Sequence, residues 1–193
     1  MTTADARPPQ TSRRAAIMAA AVSVLAERGP RGLTHRAVDA AAGLSSGSVN
    51  YHAPTRARLL HLALEEVFRR DIDTATRYFD IAEWSRSRAA VAITGFVTEM
   101  SDEKNRDRVI ARHHLRAESM TNPELRAAFD DQHAAFVKMI VATFGIAGDP
   151  VSDARGELVR LGIDGMMQRQ VMIGPTPLDD DQIAEMARLL VGG

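Results

Sequence analysis

Residues 33–60 read LTHRAVDAAAGLSSGSVNYHAPTRARLL, and their pattern decides the fold. Thr34 is a natural N-cap for a helix that turns Ala37, Val38, Ala41 and Ala42 inward and leaves His35, Arg36 and Asp39 outside. Gly43 closes that helix, and Ser45 caps another whose leading turn, Ser45-Ser46-Gly47-Ser48, is small and polar. The Ala53-Pro54 step forces residue 53 out of the α region and stops it. Two very short helices pivoting on a glycine, with a long helix behind them, form a layout whose second helix fits a DNA major groove. The stretch predicts a DNA-reading module.

The rest of the chain sets the context. With 193 residues, 45% of them hydrophobic, it can bury a core of its own. Six Phe, two Tyr and one Trp leave most of the packing to aliphatic residues and nine Met. The absence of cysteine excludes disulfides, thiolate metal sites and cysteine nucleophiles, and fits a reducing cytoplasm. The opening MTTADARPPQTSRR has no apolar run of the secretory kind, and no segment nears about 18 uninterrupted apolar residues. These features predict a soluble, cytoplasmic protein with no membrane partner. The net charge of −1 divides unevenly: residues 1–70 hold ten Arg and five acidic residues, a net of +5, and residues 71–193 carry −6. A basic head on an acidic body directs any polyanion to the head.

Residues 1–10, with Pro8 and Pro9 and no periodicity, read as a disordered tail. A helix with Ile17, Ala21, Val24 and Leu25 on one face follows and ends at Gly29-Pro30. Beyond the module, a long helix runs from Thr55 to about Phe79 with Leu60, Leu64, Val67, Phe68, Ile72 and Ala75 at helical spacing. Further helices are predicted over Ser85–Met100, Arg106–Ser119, Pro123 to about Phe144, and Ser152 or Asp153 to roughly Met172. Gly174-Pro175-Thr176-Pro177 breaks the last of these. Asp179 with Gln182 three positions on opens a final helix through a capping box. No strand pattern occurs. The expectation is an all-α protein of about nine helices, with a helix-turn-helix domain over 11–54 and a larger helical domain over 55–193.

Within the module each residue type has its own chemistry. Gly47 costs about 1 kcal/mol of helix propensity; it either lets the backbone approach a duplex or lies under the first helix. Asn50 can read an adenine edge bidentately or serve as a surface residue. Tyr51 and His52 offer O–H and N–H donors to phosphate oxygens, with core packing the alternative for Tyr51. Thr55 and Arg56 open the long helix, where dipole and guanidinium together favour phosphate; a solvated Arg56 is the alternative.

Thr34 to Leu60 resembles the N-terminal DNA-binding domain of the tetracycline-repressor (TetR) family of transcriptional regulators. The resemblance lies in Thr34, Val38, Ala42-Gly43-Leu44-Ser45, Gly47-Ser48-Val49, Tyr51-His52, Pro54-Thr55-Arg56 and Leu59-Leu60. It implies a homodimeric repressor whose head binds a palindromic operator in double-stranded DNA and whose body holds a small-molecule effector. It further implies phosphate contacts at Thr34, Tyr51, His52, Thr55 and Arg56. Arg36, Ser46, Ser48, Val49 and Asn50 would face bases or backbone, with Ser45 and Gly47 completing the surface. Ala53 departs from the aromatic residue usual at its position, which implies looser packing of the head on the long helix. Asn50 stands where Tyr is frequent, so no base preference carries over.

In the larger domain, His113, Arg116 and Met120 share a helical stripe with Val109, while Phe129, His133 and Phe136 share another. Trp84, Phe96 and Met100 precede them, and Phe68 and Met167 come from flanking helices. If these faces meet, they enclose an apolar cavity with a few polar anchors. His113, His114, His133 and Asp130 make a weak metal set, because adjacent histidines diverge by about 100° on a helix and ligands must converge. No metal or other cofactor is expected. The last two helices read as a dimer interface through Leu158, Leu161, Met166 and Gln170 on one, and Ile183, Met186 and Leu190 on the other, or else as an intramolecular hairpin. An architectural DNA binder without a ligand is one alternative. An all-α enzyme using His113 or His133 with Asp130 or Glu118 is another, although no nucleophile elbow, phosphate loop or zinc-helix motif accompanies it.

Overall fold

The computed structural model describes residues 10–79, 83–146, 148–172 and 176–192. Among them the chain is all-α, with nine helices: α1 Gln10–Gly32, α2 His35–Ala41, α3 Ser48–His52, α4 Arg56–Phe79, α5 Arg86–Ser101, α6 Glu103–Ser119, α7 Pro123–Ile146, α8 Asp153–Val171 and α9 Asp180–Val191. The expected tail, apart from its last residue, and the break at Gly174-Pro175 lie outside the described residues.

Local chemistry sets the helix ends. Gly29 leaves the helical region at φ 65° and kinks α1 just before Pro30, which has no N–H to continue the ladder. Ser85, Ser152 and Asp179 each accept a backbone N–H three residues on, and Asn122 accepts those of Glu124 and Leu125. Gln182 bonds back to the Asp179 amide and completes the capping box. α6 begins at Glu103 rather than Arg106, which puts an acidic side chain at the positive end of the helix dipole.

Two apolar cores divide the interior. One gathers Ile17, Leu25, Leu33, Val38, Val49, Ala53 and Leu59 beneath the helix-turn-helix and continues through Ala111, Leu115, Leu125 and Phe129 of α6 and α7. The other lies among α5, α7, α8 and α9 and includes Ile93, Phe96, Met100, Phe144, Met166 and Ile183. α4 belongs to both, with Leu59–Val67 in the first and Ala75 in the second. Each fully buried side chain of Leu or Ile size contributes about 1.5–3 kcal/mol. The first core thus continues across the turn at Pro54 from the helix-turn-helix into α4, α6 and α7.

Candidate functional site

The short helix α3 is organised from α2. Asp39, expected on the outer face, is buried, and its carboxylate accepts the Gly47 amide at 2.8 Å and the Val49 amide at 2.9 Å. These are amides the start of a helix leaves without partners, so a residue on the preceding helix takes the capping role expected of Ser45. The Ser45 hydroxyl lies 3.0 Å from that of Ser48 instead. Gly47 is itself the N-cap at φ 89°, a left-handed conformation that penalises any Cβ. A Cβ at Gly47 would meet nothing within 4 Å, so the position does not lie under the first helix and the backbone alone demands glycine.

The outer surface of this head presents most of the residues singled out for DNA. Arg36, Ser45, Ser46, Gly47, Asn50 and Tyr51 are exposed, Tyr51 by 78%, which removes its core-packing alternative; Ser48 and His52 are half-buried. Val49 does not join them. It is fully buried in the head core, and its side chain faces away from any groove because α3 needs one apolar anchor toward α1 and α4. Ala53 is fully buried too, and its carbonyl accepts the His35 Nε2 proton, tying the start of α2 to the end of α3. The exposed Thr34 and Thr55 hydroxyls cap α2 and α4 by accepting the Ala37 amide at 3.2 Å and the Arg58 amide at 3.1 Å. Arg56 is not a simply solvated side chain. Its guanidinium bonds the Glu118 carboxylate on α6 and the Pro30 carbonyl, both at 3.1 Å.

In the larger domain, α4 to α9 enclose a cavity of about 80 Å³. Phe68, Trp84, Phe96, Arg116, Phe129, His133, Phe136 and Met167 all line it, together with Phe79 and Phe144. All six phenylalanines and the single tryptophan of the chain therefore face one space. Their rings pack in tilted and edge-on pairs, Phe68 with Phe129 at 5.3 Å and Trp84 with Phe144 at 5.9 Å between centroids. Three residues expected here lie elsewhere. Met100 is buried beneath Arg108 in the core, His113 is exposed on the outer side of α6, out of phase with Arg112 and Arg116, and Met120 is exposed just past the end of that helix. His114 lies against the α1 kink, its Cε1 3.8 Å from where a Cβ on Gly29 would sit. His113, His133, Asp130 and Glu118 are thus not brought together, and among the described residues no three His, Asp or Glu side chains could hold a metal. A side groove of about 210 Å³ between α4 and α7 shares Gln132, Phe136 and Met139 with the cavity.

The cavity also has a polar end that apolar periodicity does not reveal. Asp71, Arg112, Arg160 and Asp164 line it with Arg116 and His133. The Asp71 carboxylate is buried between Arg112 at 3.1 Å and Arg108 at 3.3 Å. Burial pushes its pKa up, and the two guanidiniums oppose that without cancelling it. Asp164 accepts Arg160 at 2.7 Å, and Arg160 also holds Glu157. Arg116 donates to His133 Nε2 and stands 5.7 Å from the Phe129 ring centroid. Burial, with the nearby Arg160 and Arg116 charges, holds the His133 imidazole below its usual pKa. The available signal is a charge interrupting an apolar stripe: Asp71 falls between Val67 and Ala75, and Arg160 between Gly156 and Ile163.

The last two helices separate the residues expected at a dimer face. Leu158, Leu161 and Met186 are exposed, by 49, 50 and 38%, and Leu189 joins them at 65%. Met166 and Ile183 are buried in the subunit's own core and face inward. Gln170 holds both backbone groups of Leu178, and Leu190 packs onto Gly162, where a Cβ would come within 2.4 Å of it. The hairpin of α8 and α9 is thus internally packed and still presents an apolar outer face.

Comparison with known proteins agrees with this architecture. Residues 17–63 match the family described as bacterial regulatory proteins, tetR family, and residues 84–193 match the tetracyclin repressor-like C-terminal domain. No curated protein matches the chain. Among solved structures, a transcriptional regulator from Rhodococcus sp. Rha1 is 19% identical, with 93% of this chain and 94% of that one covered at a TM-score of 0.78. A regulator from Saccharomonospora viridis, solved in complex with choline, is 19% identical over 95% of this chain and 97% of its own at 0.77. The multidrug binding protein EbrR, complexed with imidazole, is 22% identical over 95% and 96% at 0.65. With both of its domains matched, the chain belongs to the tetR family of DNA-binding transcriptional regulators.

Proposed function

We propose that the protein is a ligand-responsive, homodimeric repressor that a small molecule releases from a palindromic operator. One observation carries this reading: every phenylalanine and the only tryptophan surround a single cavity. Phe68 and Phe129 belong to the first core and the other five to the second, yet all seven turn toward the same space. The complexes of two similar folds with choline and imidazole support a small-molecule site.

α6 is the physical route from cavity to head. It carries Arg112 and Arg116 at the cavity, Leu115 in the head core, and Glu118 against Arg56. A ligand that shifts α6 alters where α4 and α1 stand. It changes operator affinity only as far as it binds the two arrangements unequally. Residues 11–54 would read DNA through Thr34, Arg36, Ser45, Ser46, Gly47, Ser48, Asn50, Tyr51 and His52, joined by Thr55 and Arg56 at the start of α4. Residues 55–193 would otherwise sense and dimerise, the outer face of α8 and α9 joining two subunits around a two-fold axis. That axis sets the recognition helices about 34–36 Å apart, one turn of DNA. A cytoplasmic location follows from this role, and no described helix is long and apolar enough to cross a membrane.

The test is selection of bound fragments from genomic DNA by the purified full chain, followed by binding assays with and without small molecules. An enriched palindrome whose binding falls when a compound is added supports the proposal. No enriched palindrome overturns it, and a palindrome indifferent to every compound favours an architectural role.

A further inference from the structure

The polar end of the cavity is asymmetric in charge. Its two carboxylates are committed: Asp71 to Arg108 and Arg112, and Asp164 to Arg160. Arg116 is committed far less. It donates a hydrogen bond to His133 Nε2 and stands 3.7 Å from Asp164, beyond hydrogen-bond reach. A guanidinium carries five N–H donors, and this arrangement uses one of them. Because Nε2 of His133 accepts, the ring is neutral and its proton sits on Nδ1. Burial, which keeps this imidazole from charging, favours the same neutral form. The cavity therefore combines aromatic walls with uncommitted donors, a lining in which Arg112, Arg116 and Arg160 outnumber Asp71 and Asp164.

We propose that the effector is an organic anion, a carboxylate on an aromatic or aliphatic body, with its carboxylate received by the free N–H donors of Arg116. The assignment rests on this cavity being the effector site. Arg116 supplies a planar fork matched to two carboxylate oxygens, and its guanidinium carbon stands over the Phe129 ring, 5.7 Å from the centroid. A quaternary ammonium would find aromatic faces here, but the guanidiniums of the lining outnumber its carboxylates by one, and that excess works against binding a cation.

Calorimetric titration of the full chain with three probes of one shape decides the matter: 3-phenylpropionate, 3-phenylpropan-1-ol and 3-phenylpropyltrimethylammonium. The carboxylate should bind about tenfold or more tightly than the other two, as expected of a charge-assisted bond to a half-buried guanidinium. Arg116→Gln should bring the carboxylate to the affinity of the alcohol and leave the alcohol's own affinity within about twofold, since the aromatic walls are untouched. Arg116→Lys should keep part of the preference as a point charge. If the variants fail to fold, the wild-type series still decides the sign of charge. Equal affinities, or tightest binding of the ammonium, overturn the anion assignment while preserving the ligand-binding reading. Binding of none of the three, with no effect on operator release, overturns both.

Discussion

Arg56 in the first turn of α4 and Glu118 in the last turn of α6 meet at 3.1 Å, and the same guanidinium holds the Pro30 carbonyl beyond the α1 kink. One side chain thus joins the helix that leads out of the head, the helix that carries two of the cavity's three arginines, and the helix that roofs the head core. Both partners keep contact with water, at 49 and 27% exposure, so the pair contributes no more than about 1 kcal/mol to stability. Its consequence is positional. Glu118→Gln should leave the thermal midpoint within a few degrees and weaken the effector's influence on operator affinity. Fluorescence anisotropy of a labelled operator, with and without effector, would read this. An undiminished response removes the pair from the signal path.

Arg56→Ala should weaken operator binding at every sequence and reduce the slope of log K against log salt by about one, the signature of one lost phosphate contact. Titrations at several salt concentrations measure it. Unchanged affinity and slope would leave Arg56 as a strut between helices and nothing more.

Asp39→Ala removes the acceptor shared by the Gly47 and Val49 amides. Two backbone donors at the start of α3 lose a charged partner, and the loss should be about 2 kcal/mol or more. Urea denaturation gives the value. Asp39→Asn, which keeps one amide oxygen in place, should lose less.

Asp71→Ala leaves Arg108 buried and Arg112 half-buried without their shared counter-charge. Breaking a buried ion cluster in this way should destabilise the fold by about 3–5 kcal/mol, against less than about 1 kcal/mol for an exposed pair such as Arg88 with Glu83. Comparing the two variants by denaturation separates structural ion pairs from decorative ones.

His133 gives stability a dependence on pH. The folded imidazole is held below its usual pKa by burial and by the Arg160 and Arg116 charges, with Asp164 and Glu157 opposing. The unfolded ring takes up a proton near pH 6.5, and the folded ring resists until a lower pH. Between those values the unfolded chain binds more protons, so stability falls as pH falls through about 6.5 and levels off below the folded pKa. His133→Gln should show a shallower loss over that window. His114, also lowered by burial, acts equally in both proteins. Parallel curves would show that His133 titrates alike in the folded and unfolded chain.

What was legible in the sequence was local. Gly29-Pro30 marks the α1 kink through its own backbone, and Asn122, Ser152 and the Asp179–Gln182 box mark helix starts because the capping atoms lie within three residues of the amides they serve. The cap of α3 was not legible, because Asp39 reaches it from another helix and nothing in Ser45-Ser46-Gly47-Ser48 shows that its amides are already taken. The same distinction runs through the body. The aromatic cavity residues follow apolar stripes that periodicity finds, whereas Met100 continues the Phe96 stripe one turn beyond the cavity and His113 turns to the outer side of α6. Leu158 and Met166 are likewise one apolar series in the sequence, and only the packing of α9 on α8 assigns Met166 inward and Leu158 outward. Asp71 and Arg160 pair across helices or along a buried turn, which a one-dimensional pattern registers only as interruptions.

Trp84 is the single tryptophan, and it stands in the cavity wall beside Phe144. Near-ultraviolet emission of the whole chain above the tyrosine band therefore comes from one indole at one place. Any molecule that occupies the cavity changes the polarity and the quenchers that this indole meets. The protein thus carries its own optical gauge of occupancy, which works without a label, without DNA and for compounds of any structure that fit the space.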